Sequence, residues 1–591
     1  MRVADAVGRA LVSAGVDHVF GVVGSGNFHV TAAMAAAGAR FVAARHEGGA
    51  ATMADAYART AGGVAALTVH QGCGLTNAMT GIAEAAKSRT SLVVLAPQAT
   101  VTTSNFYVDQ DALARAVGAV PVRVTDPATA AADAVAAVAL ALHERRTVVL
   151  NLPLDVLEAD DGGGAAEPAA PGARAETAPP AETAARAETA APAEPVAPGE
   201  PAGDSVPREP AAAAMPPGPV PETPAPDDVA RLVAALAGAR RPVFVAGRGA
   251  RSPAARDALR DLAEAGGALL ATSAVAKGLF HDDPWSLDVS GGFSSPLAAE
   301  LIRGADLVVG WGCALNMWTM RHGRLIAPGT TVIQVDDTPE ALGVHRALTF
   351  GVVGDVAATA HAALAAVDAG AARPARRYRT PEVRARLDAE LRWRDVPFAD
   401  LSGAGRIDPR TLTIALDDLL PAERVVAVDS GNFMGYPSMF LEVPDEEGFC
   451  FTQAFQSIGL GLATAIGAAL ARPDRLPVAA LGDGGALMGA AELDTVRRLG
   501  LPMVVVVYND DAYGAEVHHF AGEDVGTVTF PPTDVAAIGS GYGFDAVTVR
   551  EVADLGAVRA WLAGPRERPL LVDAKVVADS PSWWLAEAFG H

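Results

Sequence analysis

The sequence is poor in cysteine, and this scarcity excludes several classes of protein. Among its 591 residues only Cys73, Cys313 and Cys450 are cysteines. They are odd in number, widely spaced and form no CxxC pair, so the sequence predicts neither a disulfide framework nor a zinc or dithiol site. Free thiols suit a reducing compartment, and we expect a cytoplasmic protein.

Basic residues and long apolar runs are also scarce. The chain has 46 Lys and Arg against 69 Asp and Glu, a net charge of −23. This charge repels nucleic acid and anionic membranes, so neither is predicted as a partner. The longest apolar run, Ile458–Ala471, is too short and glycine-rich to span a bilayer, and Asp5 and Arg9 interrupt the N-terminal pattern where a secretory signal needs an apolar core. Chemistry on small molecules is the favoured class of function.

A βαβ pattern over residues 477–514 carries the strongest functional signal. An apolar run, Pro477–Leu481, ends in the sequence GDGG, a helical segment through Glu492 follows, and a second β-rich run, Met503–Val507, leads to Asn-Asp. Parallel strands end at the same edge of a sheet, so the two aspartates meet there and invite a hard cation. The glycines let backbone N–H groups approach a phosphate. The pattern predicts a metal-bound diphosphate.

This pattern resembles the signature of thiamine diphosphate enzymes, in which GDG is followed by an Asn-Asn or Asn-Asp pair. Here Asp483 and Asp510 stand 27 residues apart. The resemblance implies that Asp483, Asp510 and the main-chain carbonyl of Ala512 hold Mg²⁺ on the cofactor's diphosphate. It also implies a cofactor-binding role for the neighbouring residues Gly482, Gly484, Gly485, Tyr513 and Gly514.

The fold class predicted for the chain is α/β, with three doubly wound parallel-sheet domains, because β-like and helical runs alternate along most of its length. Their layout resembles the acetolactate synthase, benzoylformate decarboxylase and pyruvate decarboxylase branch of that family. The Ala/Pro-rich stretch between the first two domains has almost no large apolar residue and is expected to be a disordered linker. We predict an N-terminal pyrimidine-binding domain (1–157), the linker (158–228), a central domain (229–370), a connector (371–406) and a C-terminal diphosphate-binding domain (407–591).

The first domain carries Arg45-His46-Glu47 before a helix of small residues, and this triplet resembles the family's RHE motif. Thiamine chemistry needs a carboxyl group beside N1′ of the aminopyrimidine, where a proton is exchanged, and Glu47 is the predicted group. The alternative is that the charge of Glu47 only stabilises the start of a helix. Since Glu47 and Asp483 lie in different domains, the resemblance implies a site between two subunits, and therefore a homodimer or homotetramer.

Two further segments of the third domain match cofactor-binding positions of the family. Val425–Val428 reads as a strand ending in a turn, in which Asn432 and Phe433 match residues that offer donors to the diphosphate. In the segment FQSIG, the carbonyl of Gln456 would accept a hydrogen bond from the cofactor's 4′-amino group. Ile458 would be the wedge that bends the cofactor, or else an ordinary core residue.

Three polar residues match positions near the reactive carbon of the cofactor. Ser25 and His70 fall where benzoylformate decarboxylase has a serine and a histidine, and Glu516 matches a glutamate of pyruvate decarboxylases. In those enzymes such residues relay protons, and the resemblance implies catalytic roles here. The alternatives are that His70 is a core histidine and that Glu516 is a solvated helix charge.

Substrate binding is assigned to Gln110, Trp318 and Arg321. Gln110 matches a glutamine that acetolactate synthases carry before their active-site loop. Residues 312–324 replace a segment that those enzymes associate with flavin, and the match is poor, so FAD is left open but not predicted. Instead Trp318 and Arg321 would line a pocket, with Arg321 on a carboxylate.

The predicted function is an acetolactate synthase-like reaction dependent on thiamine diphosphate and Mg²⁺. It decarboxylates a 2-oxo acid and ligates the resulting enamine to a second carbonyl, an aldehyde or another 2-oxo acid. The first alternative is a decarboxylase that does not ligate, which Ser25, His70 and Glu516 favour. The second is a catalytically silent family member that acts as a binding subunit.

Overall fold

The computed structural model describes residues 1–160, 222–369, 378–578 and 581–588. These residues form three six-stranded sheets, each flanked by helices. All paired strands within the sheets run parallel. The predicted fold class, three doubly wound α/β units, is confirmed.

The first sheet contains β1 (His18–Gly21), β2 (Arg40–Ala43), β3 (Ala65–Thr68), β4 (Leu92–Gln98), β5 (Val120–Arg123) and β6 (Thr147–Pro153). Its helices are α1 (Val3–Ser13), α2 (Phe28–Ala36), α3 (Glu47–Ala61), α4 (Cys73–Lys87), α5 (Gln110–Ala116), α6 (Ala130–His143) and α7 (Leu154–Glu158). The strands lie in the order β2-β1-β3-β4-β6-β5. The strand-order reversal lies beside β1 and β3, where ligands bind in open α/β sheets.

The second sheet contains β7 (Pro242–Ala246), β8 (Leu269–Thr272), β9 (Ser286–Val289), β10 (Leu307–Trp311), β11 (Thr331–Asp336) and β12 (Phe350–Val353). Its helices are α8 (Pro226–Gly238), α9 (Pro253–Gly266), α10 (Pro296–Arg303) and α11 (Val356–Asp368), and α12 (Pro381–Glu390) follows. The order β12-β11-β10-β7-β8-β9 differs from that of the first sheet. The loops after β7 and β10 are hydrogen-bonded together, since the Gly249 N–H donates to the Gly312 carbonyl at 3.0 Å.

The third sheet contains β13 (Arg424–Val428), β14 (Phe449–Phe451), β15 (Leu476–Gly482), β16 (Val504–Asn509), β17 (Asp545–Val549) and β18 (Leu570–Lys575). Its helices are α13 (Pro409–Leu419), α14 (Gly435–Phe440), α15 (Gly461–Ala471), α16 (Asp483–Met488), α17 (Leu493–Arg498), α18 (Gly514–His519), α19 (Val535–Gly541), α20 (Gly556–Ala563) and α21 (Trp583–Ala588). The order β14-β13-β15-β16-β18-β17 repeats the winding of the first sheet.

The helical segment predicted between β15 and β16 is not one helix. It consists of α16, a 3-10 turn (Ala490–Glu492) and α17. Glycine disfavours the helix interior, and α16 has glycines at its second and third positions and another at its C-cap, Gly489. The break turns the chain so that Glu492 is buried.

The first and third units share one hydrophobic core. Met53 of α3 belongs to the same buried cluster as Leu462 and Ile466 of α15. The two helices approach closely because Gly467 has no side chain, since a Cβ there would collide with the Met53 carbonyl. This packing fixes the start of α3, where Glu47 lies, relative to the third sheet of the same chain.

The predicted linker, 158–228, lies almost wholly outside the described residues, and so does the start of the connector. The structure describes the two ends of the predicted linker, and at the second end α8 begins at Pro226. The domain boundaries stay predictions. Across the described ranges, none of the helices combines the length and apolarity that a bilayer crossing requires.

Candidate active site

Two carboxylates meet at the carboxyl edge of the third sheet. β15 and β16 are neighbours with Gly482 paired to Tyr508, so Asp483 and Asp510 follow adjacent strand ends. Burial raises the pKa of both carboxyl groups, and the charge of Asp483 raises the pKa of Asp510 further. Two carboxyl groups held together out of water favour a proton or a cation between them. This arrangement is the one predicted from two parallel strands that end at the same edge of a sheet.

The surroundings of this pair fit a divalent cation bound to oxygen ligands. A Cβ on Gly514 would collide with Asp510 Oδ2, so the backbone after Ala512 approaches the carboxylate only because residue 514 is glycine. No group of three or more His, Cys, Asp or Glu side chains that could hold a metal ion occurs among the described residues. A cation here would therefore use the two carboxylates, a backbone carbonyl such as that of Ala512, and oxygens of its ligand, which suits Mg²⁺.

The turn after β13 lies beside this pair. Residues Asn432–Met434 form a 3-10 turn, and the Phe433 ring stacks on Tyr508 with centroids 5.4 Å apart. The Ser582 N–H donates to Asn432 Oδ1 at 2.9 Å, and Trp584 Nε1 donates to the Asn432 carbonyl at 2.9 Å. The predicted diphosphate turn is thus held from behind by the segment that leads into α21.

The loop that carries Gln456 and Ile458 is organised by a buried carboxylate. The Asp429 side chain, fully buried at the end of β13, accepts the N–H groups of Gly459 at 3.0 Å and Leu460 at 3.3 Å. Burial raises the pKa of Asp429 to about 6, against the lowering effect of these backbone donors. Gln456 has a φ of 60° and is exposed, and Ile458 is only partly buried. The loop therefore presents both residues at the sheet edge.

Glu47 is the first residue of α3. The His46 side chain caps this helix by accepting the Gly48 N–H at 3.0 Å. Asn77 Nδ2 donates to Glu47 Oε2 at 3.1 Å, which fixes the direction of the partly buried carboxylate. The hydrogen bond of Glu47 is therefore with a residue of its own domain, whereas Asp483 lies against Asp510 in the third domain.

His70 and the loop of Ser25 lie close to Glu47. A Cβ on Gly74 would stand 3.2 Å from His70 Cβ and 3.3 Å from Glu47 Oε1, so both side chains border the same point. The Gly26 N–H points at His70 Nδ1 from 3.4 Å, which brings the exposed Ser25 to the same edge. The structure therefore brings together the three first-domain residues predicted to be catalytic.

Glu516 lies on α18, one turn beyond the predicted metal residues. His519 Nδ1 stands 3.5 Å from Glu516 Oε2, so the second histidine of the pair meets the glutamate. His518 instead lines a cavity of about 320 Å³ together with Asp510 and Arg406, and burial lowers the pKa of His518.

Two of the predicted substrate residues are buried and hydrogen-bonded, and the third lies against the tryptophan that supports the Asn432 turn. Gln110 is buried, and its Nε2 donates to Asn151 Oδ1 at 2.8 Å. Arg321 is also buried and donates to the carbonyls of Gly291 at 2.9 Å and Ser294 at 2.8 Å. The Trp318 ring lies 6.4 Å from that of Trp584. Their roles toward a substrate stay predictions.

Three buried carboxylates near the site were given no role from the sequence. Asp429 directly follows a strand, as Asp483 does. That position in the sequence is enough to indicate a side chain at the functional edge of the sheet. Glu84 of α4 accepts the Phe455 N–H at 2.7 Å, and Glu492 accepts the N–H groups of Arg45 and His46. No local pattern indicates these last two, because each joins segments that are hundreds of residues apart in the chain.

Comparison with known families accounts for all three units. The family described as "Thiamine pyrophosphate enzyme, N-terminal TPP binding domain" matches residues 1–113. The central domain of the same enzymes matches residues 229–363, and their C-terminal TPP binding domain matches residues 429–574. The third match contains both aspartates of the GDG and Asn-Asp pattern, and the first contains Glu47.

Curated relatives extend over most of the chain. A probable 2-ketoarginine decarboxylase of Pseudomonas aeruginosa is 29% identical over 559 residues, 93% of this chain and 89% of that protein. A sulfoacetaldehyde acetyltransferase of Rhodobacter capsulatus is 26% identical over 588 residues, 94% and 90% of the two chains. An acetolactate synthase large subunit of Parasynechococcus marenigrum is 26% identical over 516 residues, 85% and 75% of the two. The names describe different reactions, but the domain matches agree: this chain belongs to the thiamine pyrophosphate enzyme family.

Proposed function

We propose that the protein is a thiamine diphosphate- and Mg²⁺-dependent enzyme that decarboxylates a 2-oxo acid and ligates the remaining fragment to a second carbonyl compound. The observation that carries this proposal is the apposed pair Asp483 and Asp510, whose pKa values are raised by burial and which a cation would stabilise. When bound, thiamine diphosphate supplies the nucleophilic carbon that attacks the 2-oxo acid.

The chain's own residues divide the work. Asp483, Asp510 and the Ala512 carbonyl would hold Mg²⁺ on the diphosphate, with backbone donors of the Asn432 turn beside them. Ile458 would support the cofactor from below. Glu47 would exchange a proton at N1′ of the aminopyrimidine, in the orientation that its hydrogen bond from Asn77 gives it.

In this proposal each active site is built from two subunits, one of which supplies the first-domain residues and the other the third-domain residues. Glu47 and Asp483 make their described contacts in separate domains, and one homodimer would contain two sites, each built from Glu47 of one chain and Asp483 of the other.

Simple decarboxylation is the second candidate. It is favoured by His70, which borders the same point as Glu47 and could return a proton to the product carbon. Ser25 and Glu516 would assist it.

Product analysis separates the two candidates. Purified protein, thiamine diphosphate and Mg²⁺ are incubated with a panel of 2-oxo acids, alone and with an added aldehyde, while CO₂ release is followed and products are identified by mass. A hydroxyketone or a 2-hydroxy-3-oxo acid supports ligation, and free aldehyde as the main product supports the decarboxylase. Glu47→Gln is the control, and turnover unchanged by that substitution would reject both.

A further inference from the structure

Glu492 is a buried carboxylate of the third domain whose hydrogen bonds go mainly to the first. It lies in the turn between α16 and α17, and only 3% of its surface is exposed. Its Oε1 accepts the backbone N–H groups of Arg45 at 3.0 Å and His46 at 3.1 Å, and its Oε2 accepts the Thr495 hydroxyl at 2.6 Å. One oxygen therefore fixes the backbone N–H groups of the two residues that precede Glu47.

The start of α3 is shaped to admit this carboxylate. A Cβ on Gly49 would stand 2.5 Å from Glu492 Oε1 and 3.0 Å from its Cδ, so a side chain at position 49 would displace it. The carboxylate also lies at the amino end of a 15-residue helix, where the helix dipole and the unpaired N–H groups favour negative charge. Burial and two charge-assisted hydrogen bonds make this a strong contact.

Other contacts between the two segments are more exposed. Arg45 pairs with Asp494, and Arg498 Nη2 donates to the Ala43 carbonyl at 2.6 Å. The Arg45 side chain is 53% exposed and Asp494 is 13% exposed, and this ion pair holds the side chain of Arg45 and not its peptide group. Among these contacts, Glu492 is the one placed to set the backbone that carries Glu47.

We propose that Glu492 is a positioning residue for Glu47 of the same chain. This inference rests on the proposed function. Glu492 lies in the turn after α16, the helix that Asp483 begins. In the proposed dimer it therefore joins the metal-binding half of one site to the proton-exchanging half of the other. It touches neither substrate nor cofactor in this proposal, and it acts through the peptide groups of residues 45 and 46.

The test measures the exchange of the cofactor's C2 proton for deuterium, which needs no substrate. The full-length protein is saturated with thiamine diphosphate and Mg²⁺, quenched in acid at set times and analysed by NMR, and the Kd for the cofactor is measured in parallel. We expect Glu492→Ala to slow exchange by about tenfold or more, the scale typical of lost outer contacts, with the Kd changed by less than about threefold. Glu492→Gln keeps an acceptor oxygen for both N–H groups and should stay within about threefold of the natural protein.

Two further variants isolate the positioning effect. Asp494→Asn removes the partly buried carboxylate that pairs with the Arg45 side chain and leaves the backbone contact of Glu492 in place. It is the matched control, with exchange expected at the natural rate. Gly49→Ala places a methyl group against the carboxylate while improving helix propensity, so it should slow exchange in a stably folded protein even if Glu492→Ala fails to fold.

Several results would overturn the proposal. Exchange at the natural rate in Glu492→Ala or Gly49→Ala would do so. A parallel loss of cofactor affinity and exchange that Glu492→Gln does not rescue would mean a structural role only. An unchanged C2-proton exchange rate in Glu47→Gln would instead reject the proposed function itself. Slow exchange in Glu47→Gln, together with unchanged rates in Gly49→Ala and Glu492→Ala, would reject only the inference about Glu492.

Discussion

The first and third sheets wind their strands in the same order, yet corresponding strand ends carry different chemistry. After its third strand the first sheet presents His70, whereas the third sheet presents Asp483. The edge of the third sheet holds buried acids with raised pKa values, and that of the first holds partly exposed groups around Glu47. Strand order decides where loops meet, and the side chains at those positions decide whether a loop anchors a ligand or moves a proton.

The largest effect should follow a change at the edge of the first sheet, where we propose that Glu47 exchanges a proton. Glu47→Gln preserves shape and the Asn77 contact but removes the carboxyl group that would exchange the proton, so turnover should fall by about 10²- to 10⁴-fold while the Kd for thiamine diphosphate stays nearly constant. Steady-state kinetics and calorimetric titration measure the two quantities. An equal loss of binding and turnover would contradict the assignment of separate tasks to the two edges.

A change at the anchoring edge should have the opposite signature. Asp483→Asn removes one of the two predicted metal ligands, and the affinity for Mg²⁺ and thiamine diphosphate together should fall by about 10- to 100-fold. Part of the lost turnover should return at high Mg²⁺ concentration. Titration of intrinsic fluorescence with both ligands measures the change, and natural affinity in this variant would exclude Asp483 from the metal site.

Mixing these two variants tests whether the edges meet across subunits. If each site uses Glu47 of one chain and Asp483 of the other, statistical heterodimers of the two inactive proteins have one natural site, and about a quarter of the natural activity should return. The proteins are unfolded together, refolded and assayed. If the refolded mixture is no more active than the separate variants, Glu47 and Asp483 of the same chain would belong to one site.

A smaller effect is expected where Glu84 of the first domain holds the loop of the third domain that is predicted to bind the cofactor. Glu84→Gln weakens the acceptor for the Phe455 N–H and leaves Arg59 with less negative charge, so stability should fall by about 1–3 kcal/mol and cofactor affinity severalfold. Chemical denaturation and titration check this. Ser88→Ala, which removes another hydrogen bond of Glu84, is the milder control, and an equal effect of the two would argue against the loop contact.

The smallest effect should be on product choice. Ser25 is exposed, so Ser25→Ala should leave the fold intact and change the ratio of aldehyde to ligated product by only about two- to fivefold. His70→Ala should shift the same ratio further toward ligation, because its loss removes the predicted proton donor. A shift toward aldehyde in His70→Ala would reverse its assigned role.

The sequence predicts the sheets well because their buried strands are continuous apolar runs with clear turn residues. The predicted strand Val425–Val428 lies within β13, and the parallel pairing of β15 with β16 brings Asp483 and Asp510 to one edge as expected. It fails where contacts join distant segments. Nothing near Glu492 or Glu84 in the sequence indicates their backbone partners, and nothing around Arg321 indicates that its guanidinium is buried against Gly291 and Ser294.

The missing side chain at Gly49 has a consequence for recombination between relatives. A hybrid enzyme that takes its third domain from a relative needs a carboxylate where Glu492 stands, and the retained first domain must keep residue 49 free of a Cβ. By the positioning role proposed for Glu492, a hybrid that changes one partner without the other should lose the contact that fixes the backbone of residues 45 and 46. We therefore expect an active hybrid to exchange these two positions together.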